Sequence, residues 1–221
     1  IDPAYGENER NDRSSIQVCR CFADGMDQVA EYAWPLARTE HLAYAIASLM
    51  GWYGKNNNEV RYILELNGPG MGVFNALKGI KYQLENGRQS KEIRESGLED
   101  VFRNVRTYIY NRGDAMGVGS NYHMKTTGGG GSRGGKVTLM ERLRDFLSNG
   151  KLHVRSLELL NECNYIAREG DTIKAPDSKK DDRVFAMALA CMYWDQTVKK
   201  SLVPAGRTRS AEAAREAVTI Q

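Results

Sequence analysis

The stretch of sequence that decides the fold is EVRYILELNGPG, residues 59–70. Its first eight residues are mainly β-branched, aromatic and aliphatic, which predicts a strand. The strand stops at a cluster of Gly and Pro, and a helical pattern resumes near Met71 and continues to about Leu84. Alternation along the strand places Ile63 and Glu65 on one face. Burial of that acid would require a metal ion or another cation beside it.

On the N-terminal side of this stretch, two alternating runs predict a β-hairpin. They are SSIQVCRCF, residues 14–22, and MDQVAEYAW, residues 26–34, which turn at Ala23-Asp24-Gly25. We interpret the opening Ile1-Asp2-Pro3 as the end of an earlier strand. Thr39 is predicted to cap a helix whose apolar stripe includes Leu42 and Ile46.

On the C-terminal side, strands and helices alternate. Residues 101–110, VFRNVRTYIY, suit an irregular strand or a helix, and the Gly-rich residues 126–135 predict a flexible loop, either native or an engineered linker. A helix with Leu139, Leu143 and Phe146 on one face then ends at Asn149-Gly150. A short strand, a short helix, a hairpin turning at residues 169–171 and a long helix from Asp181 complete the pattern. This order predicts an α/β fold with a mixed sheet.

Composition narrows the class of protein. The chain has 221 residues, of which 41% are hydrophobic, enough for one domain with a full core. The net charge is only +3, so affinity for nucleic acid must come from local patches. Four cysteines without a C-x-x-C pair favour reduced thiols over a zinc site. No apolar run of membrane-spanning length and no signal-peptide pattern is present in the sequence, so we expect neither a membrane segment nor secretion.

Acidic residues occur where predicted strands end or helices begin. Asp2 ends the first strand, Glu65 ends the strand quoted above, and Asp181-Asp182 begin the last helix. Open α/β sheets bind ligands outside their strand ends, and ligation by carboxylates alone suits Mg²⁺ or Mn²⁺. Asp2 and the Asp181-Asp182 pair also have simpler interpretations, because X-Pro favours a turn and acids favour the first turn of a helix.

Four segments in order resemble the nuclease domain of bacteriophage large terminase subunits, the DNA-packaging motor proteins. They are the Asp strand IDPAYGENERNDRSSIQV, the acid followed by Asn-Gly-x-Gly in LELNGPG, the Lys-Thr, helix, Asn-Gly, strand and Leu-x-x-Glu succession from YHMKTT to LELLNE, and the Asp pair that opens KKDDRVFAMALA. The likeness spans roughly residues 1–193, and its specificity lies in the order of the segments.

The resemblance implies an RNase H-like fold over residues 1–200, with a central mixed β-sheet flanked by helices, and a basic, Ala-rich tail over 201–221. It implies an endonuclease that cuts concatemeric double-stranded DNA, with little sequence preference, by means of two Mg²⁺ or Mn²⁺ ions. The metal-binding and catalytic acids would be Asp2, Glu65 and the pair Asp181 and Asp182, with the first ligand of that pair left open. Asp12 would be an auxiliary acid, or would act behind the metal ligands.

Basic residues near the predicted crevice are candidates for phosphate contacts because they cluster beside the acids. They are Lys125, Arg133, Lys136, Lys179 and Lys180. By the same resemblance, the partners would be double-stranded DNA, a portal protein, a small terminase subunit and an ATPase domain of a longer chain, in the host cytoplasm. No Walker-type motif occurs and the chain does not open with Met, so we expect the C-terminal part of a longer polypeptide.

Two alternatives remain open. The same fold serves Holliday-junction resolvases and transposases, which prefer branched or end-specific DNA. The other alternative is a noncatalytic docking module of a packaging motor, in which the acids cap helices and the basic tail, which either frays or forms a helix, binds a portal-type partner. Such a module predicts no metal-dependent change in DNA.

Overall fold

The computed structural model describes residues 1–6, 12–54, 59–66, 68–86, 105–110, 123–124, 131–169, 172–176 and 179–213. The chain divides into two compact units. Unit 1 consists of Ile1–Ser15 and Ala33–Lys125, and unit 2 consists of Ile16–Tyr32 and Thr126–Gln221. In the ranges described, no helix has the length and apolar character needed to cross a bilayer.

Strands and helices alternate along the chain, as the sequence predicts. In chain order the elements are β1 (Ser14–Phe22), β2 (Gly25–Trp34), α1 (Thr39–Tyr53), β3 (Val60–Glu65), α2 (Gly70–Asn86), β4 (Val105–Tyr110), β5 (His123–Met124), α3 (Gly131–Ser148), β6 (Leu152–His153), α4 (Leu157–Tyr165), β7 (Ala167–Glu169), β8 (Thr172–Lys174), α5 (Asp182–Tyr193), a π-helical turn (Trp194–Val198) and α6 (Lys199–Leu202). The predicted mixed α/β class is confirmed.

Unit 1 contains a parallel sheet in the order β3-β4-β5. Tyr62, Ile63, Leu64 and Glu65 of β3 are all buried, as is common for a parallel strand whose two faces are both covered. Residues 105–110, for which the sequence suits either a strand or a helix, form strand β4.

The opening residues of the chain also pair as a short strand in unit 1. The nitrogen of Ile1 donates to the carbonyl of Ile63 at 2.9 Å, and the nitrogen of Glu65 donates to the carbonyl of Ile1 at 3.1 Å. On the other side, Asp2 and Ser15 exchange two backbone hydrogen bonds as an antiparallel bridge. The opening segment therefore has a parallel neighbour on one side and an antiparallel one on the other.

Helices α1 and α2 pack against each other in unit 1. Leu42, Ile46 and Met50 of α1 are buried, as their helical spacing predicts. A Cβ on Gly72 would lie 2.8 Å from the Cγ2 of Thr39, so glycine permits the close approach of the two helices. The prediction that Thr39 is the N-cap is wrong: Arg38 holds that position and Thr39 lies in the first turn, where its methyl group faces α2.

Unit 2 contains a three-stranded mixed sheet in the order β1-β2-β6. A two-residue turn joins β1 to β2, which requires antiparallel pairing, whereas β2 pairs with β6 in parallel. Close approach of chain segments explains Gly25, since a Cβ there would lie 2.2 Å from the carbonyl oxygen of Lys151. Strands β7 and β8 pair antiparallel, which confirms the predicted hairpin, while residues 170–171 of its turn lie outside the described residues.

The helices of unit 2 supply its core. Leu139, Leu143 and Phe146 of α3 are buried, and α3 packs on α5, most of whose residues are buried. The rings of Phe146 and Trp194 meet edge to face at 5.2 Å. The predicted C-cap is confirmed, since Gly150 adopts a positive φ of 62° and the next nitrogen donates to the carbonyl of Phe146.

The N-terminus of α3 differs from the prediction. The helix begins at Gly131, so residues 131–135 of the predicted Gly-rich loop are helical, and residues 126–130 lie outside the described part of the chain. Helix propagation adds one hydrogen bond for each residue that it fixes, so a helix anchored by packing can extend into glycines that would not start one.

Part of the predicted basic tail is fixed to unit 2. The guanidinium of Arg209 donates to the carbonyls of Met26 and Lys151 at 2.8 and 2.9 Å and to the carboxylate of Asp27 at 2.8 Å. A helical stretch begins at Arg209 itself. The tail therefore binds the β1-β2 hairpin of its own chain up to residue 213, where the described residues end.

Candidate metal centre

Asp2 and Glu65, both in unit 1, lie on neighbouring backbone segments. The hydrogen bonds from Ile1 and Glu65 are those of a parallel pair in which Ile1 lies opposite Leu64. In this register Asp2 lies beside Glu65 at the spacing of adjacent strands, about 4.8 Å, with both side chains on one face. Glu65 is only 3% exposed and Asp2 is half-buried. The structure thus brings together two of the predicted acids.

The sequence after Glu65 explains how the chain leaves the strand at this acid. Gly68 has a φ of 58°, a left-handed conformation that glycine adopts without strain. A Cβ on Gly70 would lie 1.9 Å from the carbonyl oxygen of Glu65 and 3.7 Å from the ring of Pro3. The two glycines let the chain turn tightly against the opening segment and begin α2 directly afterwards. The turn therefore keeps Glu65 close to Asp2.

The aspartate pair lies at the start of α5 in unit 2. Asp181 occupies the N-cap position, yet its side chain makes no capping hydrogen bond. Its Oδ2 instead accepts from the Nζ of Lys136 at 2.8 Å, in a pair that is about one-quarter exposed. Asp182 lies in the first turn and is only 4% exposed. Helix capping therefore does not account for the side chain of Asp181.

Arg183, directly after the aspartate pair, joins three elements of unit 2. Its Nε donates to Glu31 of β2 at 2.7 Å, and its Nη1 donates to Glu162 of α4 at 2.6 Å. Glu162 also accepts from the backbone nitrogen of Arg183 at 3.0 Å. Burial opposes the charge of Arg183, but the hydrogen bonds and charges of the two glutamates raise its pKa above the ordinary value. This clamp, Arg183 with Glu31 and Glu162, fixes the start of α5.

The sequence patterns did not predict the clamp of Arg183 with Glu31 and Glu162. Glu162 is the second acid of the LELLNE segment, and an arginine in a mostly apolar helix is itself a signal that an acidic partner is nearby. The identity of the second partner, Glu31, has no local signal because 152 positions separate it from Arg183.

The predicted basic residues have varied environments. Lys136 pairs with Asp181 as described above, and the Nζ of the exposed Lys179 lies 4.4 Å from the ring centroid of Tyr165. Lys180 is half-buried. Lys125 and the side chain of Arg133 lie outside the described residues. Asp12, which the resemblance suggests as an auxiliary acid, is exposed and lies two positions before β1.

The chemistry of the donors in unit 1 fits a hard divalent cation. Two carboxylates are the ligands that Mg²⁺ and Mn²⁺ prefer, whereas zinc favours nitrogen and sulfur. Zinc binding by a cysteine requires the thiolate, and burial raises the pKa of the Cys191 thiol in unit 2, which keeps that sulfur protonated. Over the ranges that the structure describes, no three His, Cys, Asp or Glu side chains form a group that could hold a metal ion. Asp2 and Glu65 are in unit 1, whereas Asp181 and Asp182 are in unit 2.

Comparisons of the chain with protein-family models, with curated proteins and with solved structures give no match. Support for a function therefore comes from the site residues, from their geometry and from the order of the sequence motifs.

Proposed function

We propose that the chain is a divalent-metal-dependent DNA endonuclease of the type found in phage large terminase subunits, with an RNase H-like fold. The observation that carries the proposal is the pairing of Asp2 with Glu65. Two acids that are 63 positions apart in sequence lie side by side on one face, and one of them is almost fully buried. Burial of a carboxylate is costly unless a cation or hydrogen bonds stabilise it, and a metal ion is one such partner.

In this proposal each group of residues has a defined role. Asp2 and Glu65 would hold a divalent cation in unit 1, and the resemblance also assigns Asp181 and Asp182 of unit 2 as metal-binding acids. Two divalent ions, if bound, would supply activation of the attacking water and stabilisation of the departing 3′ oxygen. The basic residues contact phosphates of double-stranded DNA and orient the scissile bond; they are Lys125, Arg133, Lys136, Lys179 and Lys180. The resemblance further assigns a portal protein, a small terminase subunit and an ATPase domain as partners.

The bonding of Asp181 favours this proposal over a noncatalytic docking module. In a module whose acids only cap helices, the N-cap aspartate should accept from a nitrogen of the first turn. Asp181 instead pairs with Lys136. An ion-paired acid at a helix start can exchange its lysine for a metal ion or leave that lysine to a phosphate, whereas a capping acid is already committed to the backbone.

Nicking of supercoiled plasmid tests the proposal. The protein is incubated with plasmid and Mn²⁺, with and without chelator, beside Asp2→Ala and Asp182→Ala. Glu40→Gln is the matched control, since Glu40 is also an acid in the first turn of a helix but is exposed. We expect wild type and Glu40→Gln to convert the plasmid only without chelator, and both aspartate variants to leave it intact.

The alternatives give different results in the same assay. Plasmid that is unchanged in every lane contradicts the nuclease and favours the docking module. Selective cutting at an extruded cruciform favours a resolvase. Equal cutting by wild type and both aspartate variants shows that the activity arises elsewhere or from a contaminant.

A further inference from the structure

Ser15 carries a buried hydroxyl that has no hydrogen-bond partner in the part of the chain that the structure describes. The residue is 0% exposed, and no described residue lies within hydrogen-bond distance of its Oγ. The backbone of Ser15 is fully engaged, since its nitrogen and carbonyl both bond to Asp2. A buried hydroxyl without a partner destabilises the folded chain, so alanine would suit this position better if packing alone mattered.

The neighbouring serine shows the contrast. Ser14 is equally buried, but its Oγ accepts from the nitrogen of Ala4 at 3.0 Å and donates to the carbonyl of the same residue at 3.3 Å. Ser14 therefore has a structural role that its hydrogen bonds explain. The Oγ of Ser15, one position later on the other face of the strand, makes no such hydrogen bond to the described residues.

The register of the strands places Ser15 in line with the two acids. Residues that exchange both backbone bonds across an antiparallel pair carry their side chains on the same face, which puts Ser15 beside Asp2. Glu65 lies on the opposite flank of Asp2, on that same face. The side chains of Ser15, Asp2 and Glu65 thus form a row of oxygen-bearing groups within unit 1.

We infer that the Ser15 hydroxyl is a further residue of the divalent-cation site, where it hydrogen-bonds a water carried by the ion. Mg²⁺ binds few protein ligands and keeps several waters, so a hydroxyl beside its carboxylates finds the partner that the fold does not supply. Residues that orient such waters or ligands typically change metal affinity by about 10-fold to 100-fold. This inference rests on the proposed function and names an additional positioning residue for the same site.

Metal binding by the full chain tests the role of Ser15 without an activity assay. Mn²⁺ is titrated calorimetrically into wild type, Ser15→Ala, Ser14→Ala, Asp2→Asn and Glu65→Gln, and thermal unfolding of each is followed in chelator. We expect Ser15→Ala to unfold at the same temperature as wild type or higher, yet to bind Mn²⁺ about tenfold more weakly. Ser14→Ala should show the reverse pattern, with lower thermal stability and unchanged Mn²⁺ affinity.

Each other outcome overturns one statement. If Asp2→Asn and Glu65→Gln abolish Mn²⁺ binding while Ser15→Ala binds as tightly as wild type, the inference on Ser15 is wrong and the metal centre stands. If all variants bind Mn²⁺ equally, the metal centre itself is wrong and Ser15 has no role in it. A Ser15→Ala variant that is destabilised in chelator shows that the hydroxyl stabilises the fold.

Discussion

The acids of unit 1 and those of unit 2 are held in different ways. In unit 1, backbone pairing places Asp2 beside Glu65, so their positions follow from strand register. In unit 2, side-chain ion pairs surround the aspartate pair: Lys136 binds Asp181, and Glu31 and Glu162 hold Arg183. Under the proposed function, a substitution in unit 1 should mainly lower metal binding and DNA cleavage, whereas a substitution around α5 should also lower the stability of the fold.

The largest effect is expected in unit 1. Glu65→Gln removes a carboxylate from the acid pair and should lower Mn²⁺-dependent cleavage by more than about 100-fold, since even residues behind a metal ligand are typically worth about 10-fold to 100-fold. Glu59→Gln, a variant at an exposed acid directly before the same strand, is the control and should cut normally. Equal rates for the two variants would remove Glu65 from the site.

The next effect is a loss of stability in unit 2. Arg183→Met leaves Glu31 and Glu162 without their shared cation in a site where all three side chains are at most 16% exposed. We expect denaturant unfolding to show a loss of about 3 kcal/mol. Arg144→Met, at an exposed position of α3, should change stability by less than about 0.5 kcal/mol.

A second substitution separates lost charge pairing from lost packing. Adding Glu31→Gln and Glu162→Gln to Arg183→Met removes the unpaired charges and should restore part of the lost stability. A triple variant that is less stable than Arg183→Met would show that the clamp does not act through these charges.

The two members of the aspartate pair should differ. Asp181→Asn removes only a partly exposed pair with Lys136, which is worth less than about 1 kcal/mol of stability. Asp182→Asn changes the buried member and should weaken Mn²⁺ binding more than Asp181→Asn does. Calorimetric titration of both variants gives the order of affinity, and the reverse order would make Asp181 the main ligand.

The last prediction concerns the thiols, which lie only in unit 2 and outside the acid pair. Burial, with the charge of Glu162 adding to it, raises the pKa of Cys163 from 9.0 to about 11. Above pH 9 the unfolded chain loses this proton while the folded chain keeps it. The contribution of Cys163 to stability is therefore full below pH 9 and is lost as the pH rises to about 11.

Thiol labelling measures the same shift directly. At pH 8 the thiolate fraction of Cys163 falls from about one in ten in the unfolded chain to about one in a thousand in the folded chain, so alkylation should be about 100-fold slower. Mass spectrometry locates the label, and the rate in denaturant is the reference. Equal rates in the folded and denatured chain would contradict the shift.

The sequence predicted most elements because apolar period and turn residues are local signals. The β1-β2 hairpin, α1, β3 and the Gly150 cap follow from such patterns. Errors arose at helix starts, where packing decides: Thr39 faces Gly72 and does not cap α1, and α3 extends back into glycines. The π-helical turn after α5 has no pattern that distinguishes it from the helix that was predicted there.

The candidate site was predictable only in part for a physical reason. Asp2 and Glu65 could be predicted as site residues because each lies close to a proline or glycine that ends its strand. Ser15 is an ordinary strand serine until register places it next to Asp2, and Glu31 gains its role only when α5 packs near β2. Contacts that depend on register or on distant packing leave no trace in one sequence.

The most direct measurement is the anomalous signal of manganese in crystals of the protein grown with Mn²⁺. We predict a peak in contact with carboxylate oxygens of both Asp2 and Glu65, at about 2.0–2.3 Å, and its disappearance in Glu65→Gln crystals. Full Mn²⁺ occupancy elsewhere in the molecule, with no peak beside Asp2 and Glu65, would contradict the metal centre.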